Sequence, residues 1–381
     1  MSIFVVILGI ALILIVLGDA FETVVFPRRV TRRIRLARIF YRTLWRFWTG
    51  AVRVLSHGNR QETLLSYFGP LSLPLLLVFW AAVLIVGFAL IYWGSGHGVK
   101  MPEGVVTFGA CLYFSGTTFF TLGLGDISPV TPALRALVVL ESGTGFGFLA
   151  LVISYLPALN QSFSRREITI SLLDARAGSP PTAAEILRRH AQGGSTEALT
   201  LLLHEWERWS AELLESHLSY PVLAYFRSQH DNQSWLAALT AIIDTSAFVI
   251  ANMEGESTRQ ARLTFAMLRH AIVDLALVLR TPPRHPEKDR LSPSDLEAIR
   301  AHLVSSGVTL RIGAEADAQL KELRGMYEPY VYALSRRLRL ALPPWMLAST
   351  RTDNWQISAW GKSKGLFRRN DRSKQRDEEH F

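Results

Sequence analysis

The 381-residue chain carries 41 lysines and arginines against 32 acidic residues, a net charge of +9, and a single cysteine, Cys111. This length leaves room for two or three domains, and one cysteine excludes an intrachain disulfide. Residues 28–60 hold ten arginines and no acidic residue. Nucleic-acid binding is one interpretation of such a run, but its place between two apolar segments favours the positive-inside bias of a membrane protein, and we expect no nucleic-acid partner.

The first apolar segment covers residues 3–17 and can extend through Asp19 and Glu22 to Phe26. A cleaved signal peptide is one alternative, since Gly18 and Ala20 are small residues at cleavage spacing. No basic residue precedes the segment, however, and the arginines follow it. We therefore predict a retained transmembrane helix over residues 1–27.

Residues 28–66 form the predicted arginine-rich cytosolic segment. Arginines alternate there with large apolar side chains such as Ile39, Trp45 and Phe47. This composition suits a helix at the inner headgroups, with anionic lipid bound along residues 28–53, but a linker that only sets topology remains equally open.

Residues 67–159 contain two further apolar stretches around a short one. The stretch 68–93 is the clearest span, with Tyr92 and Trp93 expected at the outer interface. Residues 107–120 are too few to cross a membrane and suit a re-entrant helix. The stretch 131–156 is the third span, which Pro157 is expected to end.

Between the short stretch and the third span lies Thr121-Leu122-Gly123-Leu124-Gly125-Asp126. Rings of backbone carbonyls can replace the hydration shell of a potassium ion. Aiming consecutive carbonyls at one axis needs alternating left-handed backbone, which Gly123 and Gly125 adopt without Cβ strain. Thr121 can add a hydroxyl oxygen and Asp126 can brace the outer mouth. A dinucleotide loop would need a preceding strand and a third glycine; a plain glycine turn is the other alternative.

The block of residues 113–126 resembles the pore of tetrameric potassium channels, and the chain resembles a bacterial member of that family with an added amino-terminal span. The resemblance implies ion-binding positions at Thr121, Leu122, Gly123, Leu124 and Gly125. It implies filter support from Tyr113, Phe114, Thr118, Asp126 and Glu141. It also implies a helix hinge and a pore lining at Gly145, Phe146, Leu149 and Ile153.

Two positions depart from the family pattern. Leu124 replaces the usual filter tyrosine, and Phe120 replaces a small or hydroxylated residue before Thr121. A non-selective cation channel is therefore an alternative. Glu141, costly in lipid, is expected to face protein, either as a hydrogen-bonding brace or as an ion ligand.

The remainder is predicted as a juxtamembrane linker (160–181), a helical cytosolic domain (182–345) and a disordered polar tail (346–381). Its patterns predict helices at 182–192, 195–217, 233–253, 258–279, 293–306 and 314–340, without the strands of a Rossmann or β-roll regulatory domain.

Few polar residues of this part suggest a site. Asp244, His270 and Asp274 could form a metal or proton sensor, although a core hydrogen-bond network is favoured. A second candidate pocket borders a turn and comprises His217, His230 and Asp231. The tryptophans at 206, 209 and 235 are interpreted as core or interface residues.

The sequence thus predicts an all-α, multi-pass cell-membrane protein that has no enzymatic activity and binds no cofactor beyond potassium ions. It is expected to conduct potassium passively as a homotetramer, with a cytoplasmic carboxyl-terminal domain that gates the pore in response to an unknown ligand. The alternative from another class is a membrane-anchored signalling or scaffold protein with a vestigial pore.

Overall fold

The computed structural model describes residues 2–25, 36–55, 59–96, 98–100, 105–190, 195–228 and 233–347. The described chain is mainly helical and forms two compact units. The first comprises Met1–Phe163 and His217–Phe226, and the second comprises Ser164–Ser216 and Arg227–Phe381. The structure therefore places a short piece of the expected helical domain, His217–Phe226, in the first unit.

The first unit begins with α1 (Ile3–Ala20), followed by a π-helical turn (Phe21–Val25), α2 (Leu36–Leu55), α3 (Asn59–Ser66) and α4 (Phe68–Gly94). Helix α1 packs closely on α4 because glycines lie at the contact. A Cβ atom on Gly9 would lie 2.5 Å from the Gly87 carbonyl oxygen, and one on Gly94 would lie 2.8 Å from Val6. Small residues allow apolar helices to approach this closely. The packing favours a retained helix over a cleaved one.

Asp19, the acidic residue of α1, is buried and joins three helices. Its Oδ2 atom accepts hydrogen bonds from the Trp80 indole nitrogen of α4 at 3.1 Å and from the Ala37 backbone nitrogen at 2.8 Å. Ala37 lies in the first turn of α2, where a carboxylate interacts favourably with the helix dipole. The cost of burying this charge is thereby offset by specific partners.

A short antiparallel pair and two helices complete this part of the chain. Strand β1 (Val99–Lys100) pairs with β2 (Ser128–Pro129), with Val99 opposite Pro129. Between them lies α5 (Phe108–Phe119), whose first turn is capped by the Thr107 hydroxyl.

Helix α6 (Pro132–Ala177) continues through Pro157 for 20 further residues. Pro157, which was expected to end the third span, therefore does not end the helix, and residues 160–177 of the expected linker are helical. A proline inside a helix removes one hydrogen bond, which a long helix can tolerate.

The second unit contains α7 (Ala183–His190), most of α8 (Glu197–Ser219), α9 (Trp235–Asn252), α10 (Glu256–Val278), α11 (Pro293–Ser305), α12 (Ala314–Gly325) and α13 (Glu328–Leu338). The single helix expected over 314–340 is wrong, because it is divided between α12 and α13. Pro329 lies in the first turn of α13, where its missing N–H costs nothing.

Four helices of the described residues are long and apolar enough to cross a membrane: Ile3–Thr23, Arg60–Gly94, Pro132–Ala177 and Trp235–Asn252. The last of these, α9, is 100% buried inside the protein, whereas the most apolar part of α6 is only 11% buried. Trp206, Trp209 and Trp235 are buried, as expected for core residues. We conclude that α9 is the central core helix of the second unit.

A buried charge network holds α9 to its neighbours. Arg290 donates to both oxygens of Asp244, at 2.8 and 2.9 Å, and to Glu328 at 3.0 Å, while the Tyr327 hydroxyl also donates to Asp244. Burial raises the pKa of Tyr327 well above its ordinary value, which keeps this hydroxyl a donor. Asp244 therefore belongs to a core network.

The candidate sensor residues do not come together. His270 is mostly exposed and lies 3.6 Å from Asp274 on α10, whereas Asp244 pairs with Arg290. The described residues contain no group of three or more histidine, cysteine or acidic side chains that could hold a metal ion. His217 is buried, while His230 and Asp231 lie outside the described residues.

Candidate functional site

The backbone between α5 and α6 alternates in hand at every second residue. The φ angles of Thr121, Gly123 and Gly125 are +58°, +55° and +81°, in the left-handed region. The two glycines adopt this region without steric cost, and Thr121 does so at some cost. The sequence indicated the glycine positions but not the third, because nothing in a threonine predicts a positive φ.

The carboxyl end of α5 holds the start of this loop. The backbone nitrogens of Thr121 and Leu122 donate to the carbonyls of Thr118, at 3.0 Å, and Thr117, at 2.7 Å. The carbonyl oxygens of Thr121, Leu122, Gly123 and Leu124 accept no hydrogen bond from any described residue. Four consecutive oxygens on exposed residues are thus left available to an outside partner.

Several apolar side chains of the loop are exposed on the single chain. Phe120, Leu122 and Leu124 are each more than 60% exposed. Two of these, Phe120 and Leu124, are the positions that depart from the family pattern. Exposed apolar side chains in such a short stretch are typical of a surface that another molecule covers.

The adjacent aromatic residues of α5, Tyr113 and Phe114, have different partners. Tyr113 is 43% exposed and interacts electrostatically with the Asp126 carboxylate, at the end of the loop that precedes α6. Phe114 is buried and packs edge-on against Tyr92, with ring centroids 5.0 Å apart. Thr118 is buried at the end of α5. Support of the loop by these residues stays a prediction.

Glu141 is fully buried behind the loop and joins three helices. One carboxylate oxygen accepts a hydrogen bond from the Tyr92 hydroxyl of α4 at 2.6 Å, and the other accepts one from the Ser115 hydroxyl of α5. With both oxygens engaged by protein donors, the geometry favours bracing over ion binding.

Sequence reasoning missed Tyr92 and Ser115 as partners of Glu141. Tyr92 was expected at the outer interface together with Trp93, but it is completely buried and only Trp93 is exposed. A tyrosine with a buried carboxylate partner gains more inside the protein than at an interface. The sequence did carry a signal for such partners, because a glutamate within an apolar span requires hydrogen-bond donors from neighbouring helices.

Gly145 lies where α6 touches the end of α5. A Cβ atom there would lie 1.9 Å from the Phe119 carbonyl oxygen, so only glycine fits. Gly143 and Gly147, two residues to either side and therefore about half a turn away, have open space around them. The close contact assigns Gly145 a packing role; its role as a hinge stays a prediction.

The predicted lining residues of α6 are exposed on the single chain. Phe146, Leu149 and Ile153 follow one another at helical spacing, and each is more than half exposed. The face of α6 that carries them is therefore largely exposed on the single chain.

Comparison with known proteins agrees with the position of this site. Residues 75–161 match the protein-family model described as "Ion channel". The chain is also 25% identical, over 259 residues, to the uncharacterized membrane protein YdjJ of Bacillus subtilis (strain 168). That alignment covers 66% of this chain and 73% of the relative. No solved structure matches the chain.

The matched range begins in α4 and ends in α6, so it contains the whole loop, all of α5 and the part of α6 up to residue 161. The expected fold class is confirmed: the chain is an all-α membrane protein with an ion-channel-like pore region.

Proposed function

We propose that the protein conducts potassium ions passively and selectively through a pore made by four copies of the loop 121–125. The observation that carries this proposal is the alternation of left-handed φ angles at Thr121, Gly123 and Gly125 beside carbonyl oxygens without protein partners. Alternating hand turns successive carbonyls toward the same side of the strand, which is the arrangement that a dehydrated cation requires.

The proposed assembly is a homotetramer, because one chain supplies one loop and several are needed to surround an ion. The exposed apolar surface of a single chain supports it. Leu122 and Leu124 of the loop and the Phe146 face of α6 lack partners among the described residues of their own unit, yet the loop must be rigid to hold an ion. Neighbouring copies would cover the loop side chains, and the α6 face would line the central cavity.

The helical domain is proposed to gate the pore. Helix α6 carries the proposed lining residues and continues without interruption to Ala177, past Phe163 where the first unit ends. A rigid helix transmits small displacements along its length, and any ligand that favours one arrangement shifts the equilibrium between closed and open pores.

Flux from proteoliposomes tests the proposed conduction. Purified full-length protein is expected to pass potassium and rubidium much faster than sodium or lithium. Gly123→Ala places a Cβ on a residue with φ +55° and is expected to abolish selective flux. Gly325→Ala, on α12 with open space around it, is the matched control and should leave flux unchanged.

The outcomes separate the alternatives. Equal flux of potassium and sodium through the wild-type protein would favour a non-selective channel. Absence of flux from protein that is folded and tetrameric would favour the signalling or scaffold alternative. A selective flux that Gly123→Ala leaves intact would contradict the assignment of the loop as the filter.

A further inference from the structure

Helix α2 presents three different faces along its length. Tyr41, Trp45 and Val52 share one face by their spacing of four and seven residues, and Trp45 and Val52 are buried. Arg42, Arg46 and Arg53 have the same spacing one position later, so they form a second face, which is exposed. A third face carries exposed apolar side chains: Ile39, Phe47 and Val54.

The arginine face has no protein partner in the described structure. Arg42, Arg46 and Arg53 make no ion pair with any described residue, and residues 28–60 contain no carboxylate. The apolar face beside it is open, with Phe47 74% exposed. Only two residues after Ser66 ends α3, α4 begins at Phe68 as a membrane-spanning helix. Cationic and apolar stripes next to a membrane span fit a bilayer surface that carries anionic headgroups.

The buried face of α2 holds an inserted segment, His217–Phe226. Tyr225 of this segment sits in an aromatic cluster, with ring centroids 5.1 Å from Trp45, 5.2 Å from Phe68 and 6.4 Å from Tyr41. Its neighbour Phe226 fills the space beside Gly69 of α4, where a Cβ atom would approach the ring to 2.7 Å. The segment is therefore fixed to α2 and to the start of α4.

The same segment packs against the far part of α6. The rings of Tyr220 and Tyr155 lie 5.3 Å apart, and those of Phe226 and Phe163 lie 5.4 Å apart. Val222 and Leu223 are buried in one cluster with Tyr155 and Leu159. Tyr155 follows Ile153, the last proposed lining residue, by two positions. One segment of ten residues thus joins α2 to the part of α6 that follows the proposed pore lining.

We propose that α2 binds anionic phospholipid headgroups through Arg42, Arg46 and Arg53, and that the inserted segment transmits this binding to α6. Lipid that holds α2 at the bilayer surface also holds Trp45, and through Tyr225 it restricts the segment that packs on Tyr155. Regulation of the pore by this route rests on the proposed function. Lipid binding and the movement of the inserted segment can be tested whether or not the protein conducts ions.

Binding is measured as the thermal stabilisation of full-length protein in detergent by added phosphatidylglycerol or phosphatidylcholine. A ligand that binds only the folded state raises its melting temperature. We expect phosphatidylglycerol to raise it by roughly 3 °C or more and phosphatidylcholine to have little effect. The triple variant Arg42→Gln, Arg46→Gln, Arg53→Gln should lose this rise, because three cationic side chains near an anionic surface together contribute roughly 100-fold in affinity.

The matched control removes the same charge elsewhere. Arg259→Gln, Arg262→Gln and Arg269→Gln change three exposed arginines of α10 and should keep the full rise. An equal rise in melting temperature in both triple variants, or an equal rise with both lipids, would overturn the proposal that α2 binds anionic lipid.

Transmission is measured by the labelling rate of a thiol in the inserted segment. Ala224 is buried, so a cysteine introduced by Ala224→Cys in a Cys111→Ala background should react with a maleimide only when the segment moves. Phosphatidylglycerol is expected to slow labelling at least threefold. Tyr225→Ala should remove that effect while keeping the thermal rise, and Tyr225→Phe, which retains the ring, should keep both.

If phosphatidylglycerol still slows labelling in Tyr225→Ala, the proposal that Tyr225 transmits lipid binding to the inserted segment is overturned. Flux in liposomes with and without phosphatidylglycerol then connects this movement to the pore. If the wild-type protein passes no ion in either lipid, the proposed function fails while the binding and labelling results still decide the present inference.

Discussion

Helices α6 and α9 are both apolar enough to span a membrane, but they differ in how much of their apolar surface is buried by the protein. Every residue of α9 is buried by helices of its own chain, whereas the most apolar part of α6 is only 11% buried. The second unit therefore closes its core with its own residues. The first unit leaves the surface of α6 and the loop 121–125 for lipid, for other copies of the chain and for the proposed pore. An apolar helix is thus a buried core helix in the second unit and an exposed helix in the first.

The largest expected effect concerns the self-contained core around α9. Arg290→Ala removes the partner of two buried carboxylates, Asp244 and Glu328, and should destabilise the second unit by about 3–5 kcal/mol. Thermal and denaturant unfolding of the full chain measures it. Arg336→Ala, which removes an exposed pair with Glu287, is the control and should leave the stability close to that of the wild type. Equal losses would show that the network does not hold the core.

The next effect concerns the contact between α6 and α5. Gly145→Ala forces a Cβ atom onto the Phe119 carbonyl and should cost at least about 1–3 kcal/mol, because backbone rather than a flexible side chain must move. Proteoliposome flux should fall with it, since Phe119 lies two residues before Thr121, where the loop begins. Gly143→Ala and Gly147→Ala occupy open space and should stay within about 0.5 kcal/mol of wild type. A tolerated Gly145→Ala would disprove the contact.

A comparable or smaller effect is expected at Glu141. Glu141→Ala leaves the buried Tyr92 hydroxyl without its acceptor and should cost about 1–3 kcal/mol. Ser115 loses less, because its single hydroxyl proton can be donated instead to the Ile85 carbonyl, whose oxygen lies 2.9 Å away. Thermal stability of the purified protein gives the loss, and Tyr92→Phe is the complementary variant. If the double variant loses the sum of the two single losses, the hydrogen bond contributes nothing.

Composition and local pattern were sufficient to predict the helices and the position of the loop. Hydrophobic length located α1, α4 and α6, and the helix predicted over 293–306 is observed as α11 (Pro293–Ser305). These features depend on residues close together in the sequence, which is why a single sequence reveals them.

Contacts between distant residues could not be predicted in this way. The burial of Tyr92 depends on Glu141, 49 residues away, and Asp244 meets Arg290 across 46 residues. The membership of His217–Phe226 in the first unit also depends on partners far along the chain. Truncation of the chain after Gly178 would therefore remove the segment His217–Phe226, which packs against Tyr155 and Leu159, and would disturb the first unit as well as the second.

The central claim is that the loop 121–125 selects potassium, and a reversal potential under bi-ionic conditions tests it most directly. Full-length protein in a planar bilayer would face potassium on one side and sodium at equal concentration on the other. We expect a reversal potential displaced far from zero toward the potassium equilibrium value, despite Leu124 in place of tyrosine. A reversal potential at zero would contradict potassium selectivity and leave a non-selective cation pore.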